Sequence, residues 1–292
     1  MFQGFEQRDF ETSETVIHAR IGGSGPPLML LHGYPQTHVM WHLVAPVLAE
    51  HFTVICADLR GYGDSGKPAS DPDHLAYSKR KTALDMAEVM TALGFEQFRL
   101  AGHDRGGRVA HRLALDHPSR VEKIAFLDIV PTRTIFQATN QAIATGYYHW
   151  FFLIQPNGLP ERLIGNDPDF YLRSKLGHWG KGGIEIFAPE AVREYERCFR
   201  NAEVIHGSCE DYRAGASIDL VHDEADLGER IRCPVHALWG LDGMMERNFD
   251  VLACWRNRAQ GEVTGKALAC GHFLPEEAPE ATAEALLGFF KK

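Results

Sequence analysis

Residues 100–118 read LAGHDRGGRVAHRLALDHP. An apolar, strand-like run ends at Gly102, and a helix-like pattern begins near Gly106, with Asp104 midway between the two glycines. A strand that turns sharply into a helix thrusts the residue at the bend out beyond the carboxyl edge of a sheet, and small flanking residues let the chain fold that tightly. The simpler role for Asp104 is to cap the following helix, a common use of aspartate. Two features favour the first reading. The bend carries a carboxylate, and two guanidinium side chains, Arg105 and Arg108, follow within about one helical turn.

Working outward, apolar runs closed by glycine or turns occur at 26–33 (PPLMLLHG), 52–61 (FTVICADLRG), 98–106 and 123–130 (KIAFLDIV). Continuous apolar runs suit strands covered on both faces, as in parallel sheets. Helical patterns at 41–50, 81–94 and 106–118 alternate with them, which predicts an α/β layered fold with a mostly parallel sheet flanked by helices. The alternation stops near Pro131. Residues 133–226 are aromatic-rich and mostly helical in pattern, and strand signals return at 233–240 and 265–273 before a last helix. The expected organisation is a core of 1–132 and 227–292 with a helical cap or lid of 133–226. Ligands in open α/β sheets sit beyond the carboxyl ends of the strands, where such an insertion would roof a pocket.

Bulk properties narrow the function. A formal charge of −9 and no basic stripe argue against nucleic-acid binding. No apolar run approaches the roughly 20 residues of a membrane span. The first residues, MFQGFEQRDFETSE, lack the basic and apolar regions of a signal peptide. Cys56, Cys198, Cys209, Cys233, Cys254 and Cys270 are scattered without a C-x-x-C pair, which fits free thiols in a reducing cytoplasm. A cytoplasmic protein is expected.

Two further stretches complete a catalytic constellation. The turn His32-Gly33-Tyr34-Pro35 follows the first apolar run, and the backbone N–H groups of Tyr34 and Arg105 could form an oxyanion-binding pair. His272, in ACGHFLPEE, lies between the last strand signal and a helix, a place suited to a base. GDSG at 63–66 belongs to the DLRGYGDSGKP loop and reads as a turn, and SDPDH at 70–74 reads as a solvated loop rather than a metal site. No metal or cofactor is called for.

The elbow, HGYP, DLRGYGDSGKP and the late His272 resemble the α/β-hydrolase superfamily over nearly the whole chain. GHDRGGR, LDIVPT, YHWFFLIQP, EDYRAG and GHFLPEE resemble one branch of it, the fluoroacetate dehalogenases. The resemblance implies Asp104 as nucleophile, His272 as base and Asp128 as the acid orienting it. Asp242, in LWGLDGMM, stands in the loop where many other members keep that acid, and is the alternative. It further implies a halide site from His149, Trp150 and Tyr212, whose imidazole, indole and phenol groups are all donors. Trp179 is expected to wall the pocket. Tyr34 departs from the phenylalanine usual after HG, and its hydroxyl is a possible polar contact near the substrate. A homodimer is also implied.

The chemistry suits the residue types. A carboxylate is already ionised at neutral pH and can displace a leaving group from saturated carbon directly, leaving an ester on Asp104 for a His272-activated water to hydrolyse. Arg105 and Arg108 would grip the carboxylate of a short 2-haloacid such as fluoroacetate, giving the 2-hydroxyacid and halide. An epoxide hydrolase with the same Asp/His pair is the nearest rival, with Tyr147, Tyr148 or Tyr212 as ring-opening acids. A silent ligand receptor on the same scaffold is a third reading.

Overall fold

In the computed structural model, which describes residues 1–291, β-branched and apolar runs form eight strands. They are β1 (Glu6–Glu11), β2 (Val16–Gly22), β3 (Pro27–Leu31), β4 (Thr53–Ala57), β5 (Phe98–His103), β6 (Val121–Leu127), β7 (Val235–Gly240) and β8 (Val263–Leu268). They make one sheet in the order β1-β2-β4-β3-β5-β6-β7-β8. From β4 onward every neighbouring pair is parallel, while β1 and β2 run antiparallel at one edge. This is the α/β layered fold with a mostly parallel sheet that the alternating pattern predicts.

β1 and β2 are the elements that the apolar-run criterion passes over. β1 buries only Phe10 of its six residues. A hairpin strand at a sheet edge needs one covered face and can be polar elsewhere, so it lacks the continuous apolar signature of the central strands. By contrast β3 keeps Leu28 to Leu31 fully buried, as a strand sandwiched between helices must be.

The helices Lys79–Ala92 and Asp104–Asp116 and the closing helix Pro279–Phe290 flank the sheet. The expected helix at 41–50 is instead a 3-10 turn, His38–Trp41, followed by a single α turn, Ala45–Leu48. Between β6 and β7 the chain forms helices and no strand, from Thr132–Ala138 through Ile218–Ala225. Among the described residues no helix is long and apolar enough to cross a membrane.

Candidate active site

Five loops leave the carboxyl ends of parallel strands and converge. β5 delivers Asp104, whose backbone sits in the left-handed region at φ 43°. Packing makes the bend possible: a Cβ on Gly102 would lie 2.5 Å from the carbonyl oxygen of Gly106, and one on Gly106 2.5 Å from that of His32. Asp104 does not cap its helix. The N-cap residue is His103, without a side-chain cap bond. One carboxylate oxygen of Asp104 instead accepts the backbone N–H of Tyr34 at 3.1 Å. The Arg105 N–H, in the first turn of the helix, has no acceptor four residues earlier within it.

The loop after β3 is shaped by His32. Its Nδ1 bonds the Gly33 carbonyl at 2.9 Å, and its Nε2 accepts the Leu59 N–H at 3.0 Å. Asp58, after β4, accepts the His38 N–H at 2.7 Å and the Asp64 N–H at 2.9 Å. In the GDSG stretch Ser65 donates to the Asp58 carbonyl at 2.7 Å and accepts from the His18 N–H at 2.9 Å. That serine is a buried turn residue tied on both sides.

After β6 comes Asp128, also at positive φ (50°). Its Oδ2 lies 2.6 Å from Nδ1 of His272, and its Oδ1 accepts the Gly240 N–H at 3.0 Å. Trp255 holds the adjoining backbone by donating to the Ile129 carbonyl at 3.0 Å. Asp242 points elsewhere and pairs at 2.7 Å with Lys181, both side chains being well exposed. Of the two acids that the sequence offers, Asp128 is the one in contact with the imidazole.

Charge balance around Asp104 follows from burial and its neighbours. Burial by itself would push the carboxyl up, but the positive charges of His272, Arg108 and Arg105 outweigh it and hold the carboxyl below its usual range. For His272, burial opposes the cation, yet its bond to Asp128 and the negative charges of Asp128 and Asp104 leave its pKa raised. His103, packed 4.5 Å from the His272 ring and bonded to the His272 carbonyl at 2.8 Å, is driven by burial down to about 3 and stays neutral.

The two arginines have different surroundings. Arg105 is buried against Asp211, with Nε 2.5 Å from its carboxylate and Nη2 2.7 Å from its carbonyl oxygen. Arg108 donates only to the Val130 carbonyl (3.3 Å) and the Thr132 hydroxyl (2.8 Å), and its Cζ sits 4.6 Å from the centre of the Trp150 ring. Among the described residues it forms no ion pair with a carboxylate, and its Nε lacks any partner. Burial and the like charge of Arg105 lower its pKa, and Asp104 opposes this.

Aromatic side chains of the inserted helices close around this centre. His149 lies 4.4 Å from Trp179 with the rings tilted by 43° and 5.6 Å from Tyr212, while Trp150 is 6.2 Å from Tyr212. The His149 Nδ1 and the Tyr212 hydroxyl are buried without a partner. A cavity of about 370 Å³ reaches this point, walled by Asp104, Asp128, His149, Trp150, Trp179 and His272 among others. Arg105, Arg108, Tyr34 and Tyr212 are buried directly against this wall, with Arg108 over Trp150 at 4.6 Å, Tyr34 stacked on His149 at 6.2 Å and Arg105 over Tyr212 at 4.1 Å. Tyr34 turns its ring to Tyr212 (5.2 Å) and Phe199 (6.1 Å) and is fully buried. Of the other tyrosines between β6 and β7, Tyr147 lines the cavity, whereas Tyr148 is about half exposed with its hydroxyl on Lys175.

Sequence reasoning did not single out His103, Asp211 or Lys175. His103 immediately precedes the nucleophile and Asp211 lies inside EDYRAG, so position next to a motif was the available signal. Lys175 carried none, and only the fold buries it among Tyr148, Tyr171 and Trp179.

The chain is similar to known proteins over nearly its whole length. Residues 26–279 match the family model described as "alpha/beta hydrolase fold". The chain is 47% identical to a fluoroacetate dehalogenase from Burkholderia sp, over 99% of this chain and 95% of that protein. It is 34% identical to a soluble epoxide hydrolase from Corynebacterium sp. (strain C12), over 94% and 93% of the two chains. A crystal structure of an alpha/beta hydrolase from Nostoc sp PCC 7120 superimposes with a TM-score of 0.98 at 59% identity, covering 99% of each chain. With a family model spanning most of its length and relatives aligned over nearly all of it, the chain belongs to the α/β-hydrolase family.

Proposed function

We propose that the protein is a haloacetate dehalogenase that converts a short 2-haloacid, with fluoroacetate as the leading candidate, to the 2-hydroxyacid and halide. The observation that carries the reading is Arg108: a buried guanidinium, close enough to Asp104 for their charges to interact, that has no carboxylate partner of its own. A buried charge of this kind calls for an anion. A substrate carboxylate supplies one, and the likeness to the Burkholderia fluoroacetate dehalogenase supports the same chemistry.

In this mechanism Arg108 and Arg105 hold the substrate carboxylate, and an oxygen of Asp104 attacks the halogen-bearing carbon from behind. The carbon–halogen bond breaks, the halide leaves with the electron pair, and an ester forms on Asp104. The leaving halide is stabilised by donors from His149, Trp150 and Tyr212, two of which have buried polar atoms without a protein partner. Ester formation removes the negative charge of Asp104, one of the charges that raise the His272 pKa. The loss of that charge favours the neutral imidazole, which takes a proton from the water that attacks the ester. Asp128 orients the ring, and the N–H groups of Tyr34 and Arg105 bind the tetrahedral oxyanion. Helices of 133–226 act as the lid that keeps this site dry.

Fluoride release from fluoroacetate, followed by a fluoride electrode with Asp104→Asn as control, tests the reaction. A single turnover in ¹⁸O-water should place label in the Asp104 carboxylate, and label found only in the product would mean direct attack by water. The epoxide-hydrolase reading has support in the Corynebacterium relative and in the cavity-lining Tyr147. An epoxide offers Arg108 no anion, however, and diol formation from an epoxide panel without fluoride release would reverse the preference.

A further inference from the structure

We propose that Asp211 and Gly215 are positioning residues for Arg105. They fix which edge of its guanidinium meets the substrate, so that Arg105 contributes geometry to carboxylate recognition and Arg108 contributes net charge. The proposal rests on the haloacid reading above. It starts from an asymmetry between two buried arginines three residues apart. Residue 211 takes two of the three Arg105 nitrogens, Nε through its carboxylate and Nη2 through its main-chain oxygen. Nη1 is the nitrogen left to reach a ligand.

The charge of Arg105 is also offset. Asp211 forms a second ion pair with Lys79 and accepts the Tyr62 hydroxyl at 2.9 Å, and Lys79 in turn lies 3.4 Å from Asp219. Arg105 and Lys79 therefore face two carboxylates, Asp211 and Asp219, and the group is neutral as a whole. Arg108 sits outside it. A monocarboxylate arriving at the pair meets one guanidinium without an ion-pair partner and one pre-aimed donor.

Gly215 provides the room for this arrangement. It lies one helical turn beyond Asp211 in Ala202–Ala216, and a Cβ built on it would sit 3.0 Å from Nη2 and 3.6 Å from Nη1 of Arg105. The guanidinium is already pinned at two points by residue 211 and lies 4.1 Å from the Tyr212 ring centre, so it has little freedom to yield. Both positions fall inside EDYRAG, and Tyr212 between them belongs to the proposed halide site. One helix of the insertion would thus set both ends of the substrate.

The rival account is that Asp211 only ties the insertion to the core through Lys79 and Tyr62. Steady-state halide release from fluoroacetate separates the two, with the full-length wild type, Asp211→Asn and Gly215→Ala. Inhibition by acetate, which has the carboxylate but no halogen, is measured alongside. Positioning predicts that KM and the acetate inhibition constant rise together by about tenfold or more in both variants, with kcat held within about fivefold. Lower kcat or melting temperature, with KM and acetate inhibition within about twofold of wild type, would overturn the proposal. So would a silent Gly215→Ala, which also serves should Asp211→Asn fail to fold. If the wild type releases no halide from any haloacetate, the haloacid reading itself has failed. Calorimetric acetate binding to the same three proteins then still decides whether Asp211 and Gly215 position Arg105.

Discussion

Asp104 occupies a backbone conformation that costs a non-glycine residue on the order of 1–3 kcal/mol, and the cost is borne where the side chain is needed. Its neighbours then determine what the carboxylate can do. Positive groups outweigh burial and keep it ionised, so it is ready to attack without a base. At this scale Arg108→Leu should lower kcat/KM for fluoroacetate by about 100-fold, mainly through KM, because a hydrogen-bonded charge pair is lost in a buried site. Unchanged steady-state kinetics would remove Arg108 from substrate binding. Trp150→Phe deletes one indole N–H and little volume. It should slow fluoride release from fluoroacetate more than chloride release from chloroacetate, since fluoride is the more strongly hydrated ion. Equal slowing in parallel electrode assays would mean the indole packs rather than donates.

The parallel strands matter as elements because their carboxyl ends place residues far apart in sequence on one rim: Tyr34 after β3, Asp104 after β5, Asp128 after β6 and His272 after β8. The loop after β7 reaches the same rim with Asp242, but that side chain turns outward to Lys181. Asp128→Asn should therefore trap the Asp104 ester, slowing its hydrolysis by up to about 10⁴-fold through loss of the oriented imidazole. Asp242→Asn should leave hydrolysis near wild type. Rapid-quench mass analysis of the Asp104 peptide reads the ester directly, and accumulation only in Asp242→Asn would reverse the assignment.

Across the whole molecule, the insertion is fastened to the core by buried polar contacts. Glu276, just past His272, receives the Tyr195 hydroxyl at 3.0 Å from the inserted helix Pro189–Phe199 and also bonds the Gln36 amide. Burial pushes the Glu276 carboxyl up to about 8, with the bonds to Tyr195 and Gln36 opposing. The folded state therefore favours the protonated acid over the pH range where the unfolded chain would ionise it. Stability from this group is fully present below an ordinary glutamate pKa of about 4.3 and is lost as pH rises toward 8. Glu276→Gln should raise the melting temperature relative to wild type at pH 8, by roughly 3 °C or more, and change it little at pH 5. Equal differences at both pH values in differential scanning calorimetry would show that Glu276 does not titrate in this window.

Much of the protein could be read from order along the chain. The central strands announce themselves because burial on both faces forces unbroken apolar runs, and the elbow does so because its bend needs glycine two positions to either side of Asp104. The edge strand β1 escaped, since one covered face leaves no such run, and β2 escaped because His18 and Arg20 interrupt its apolar residues; the helix expected at 41–50 is a 3-10 turn at His38–Trp41 and a single α turn at Ala45–Leu48. The site residues were named by motif and by resemblance to a family. For His272 the resemblance implied Asp128, with Asp242 as the alternative, and the fold brings Asp128 to the ring. Folding alone showed that Asp211 takes up Arg105 while Arg108 keeps no carboxylate, and that Glu276 bonds Tyr195. Sequence carries residue type and local spacing, which determine strands, helices and the reactive groups on offer. Pairing between charges more than a hundred residues apart depends on distance and burial, and those exist only once the chain has packed.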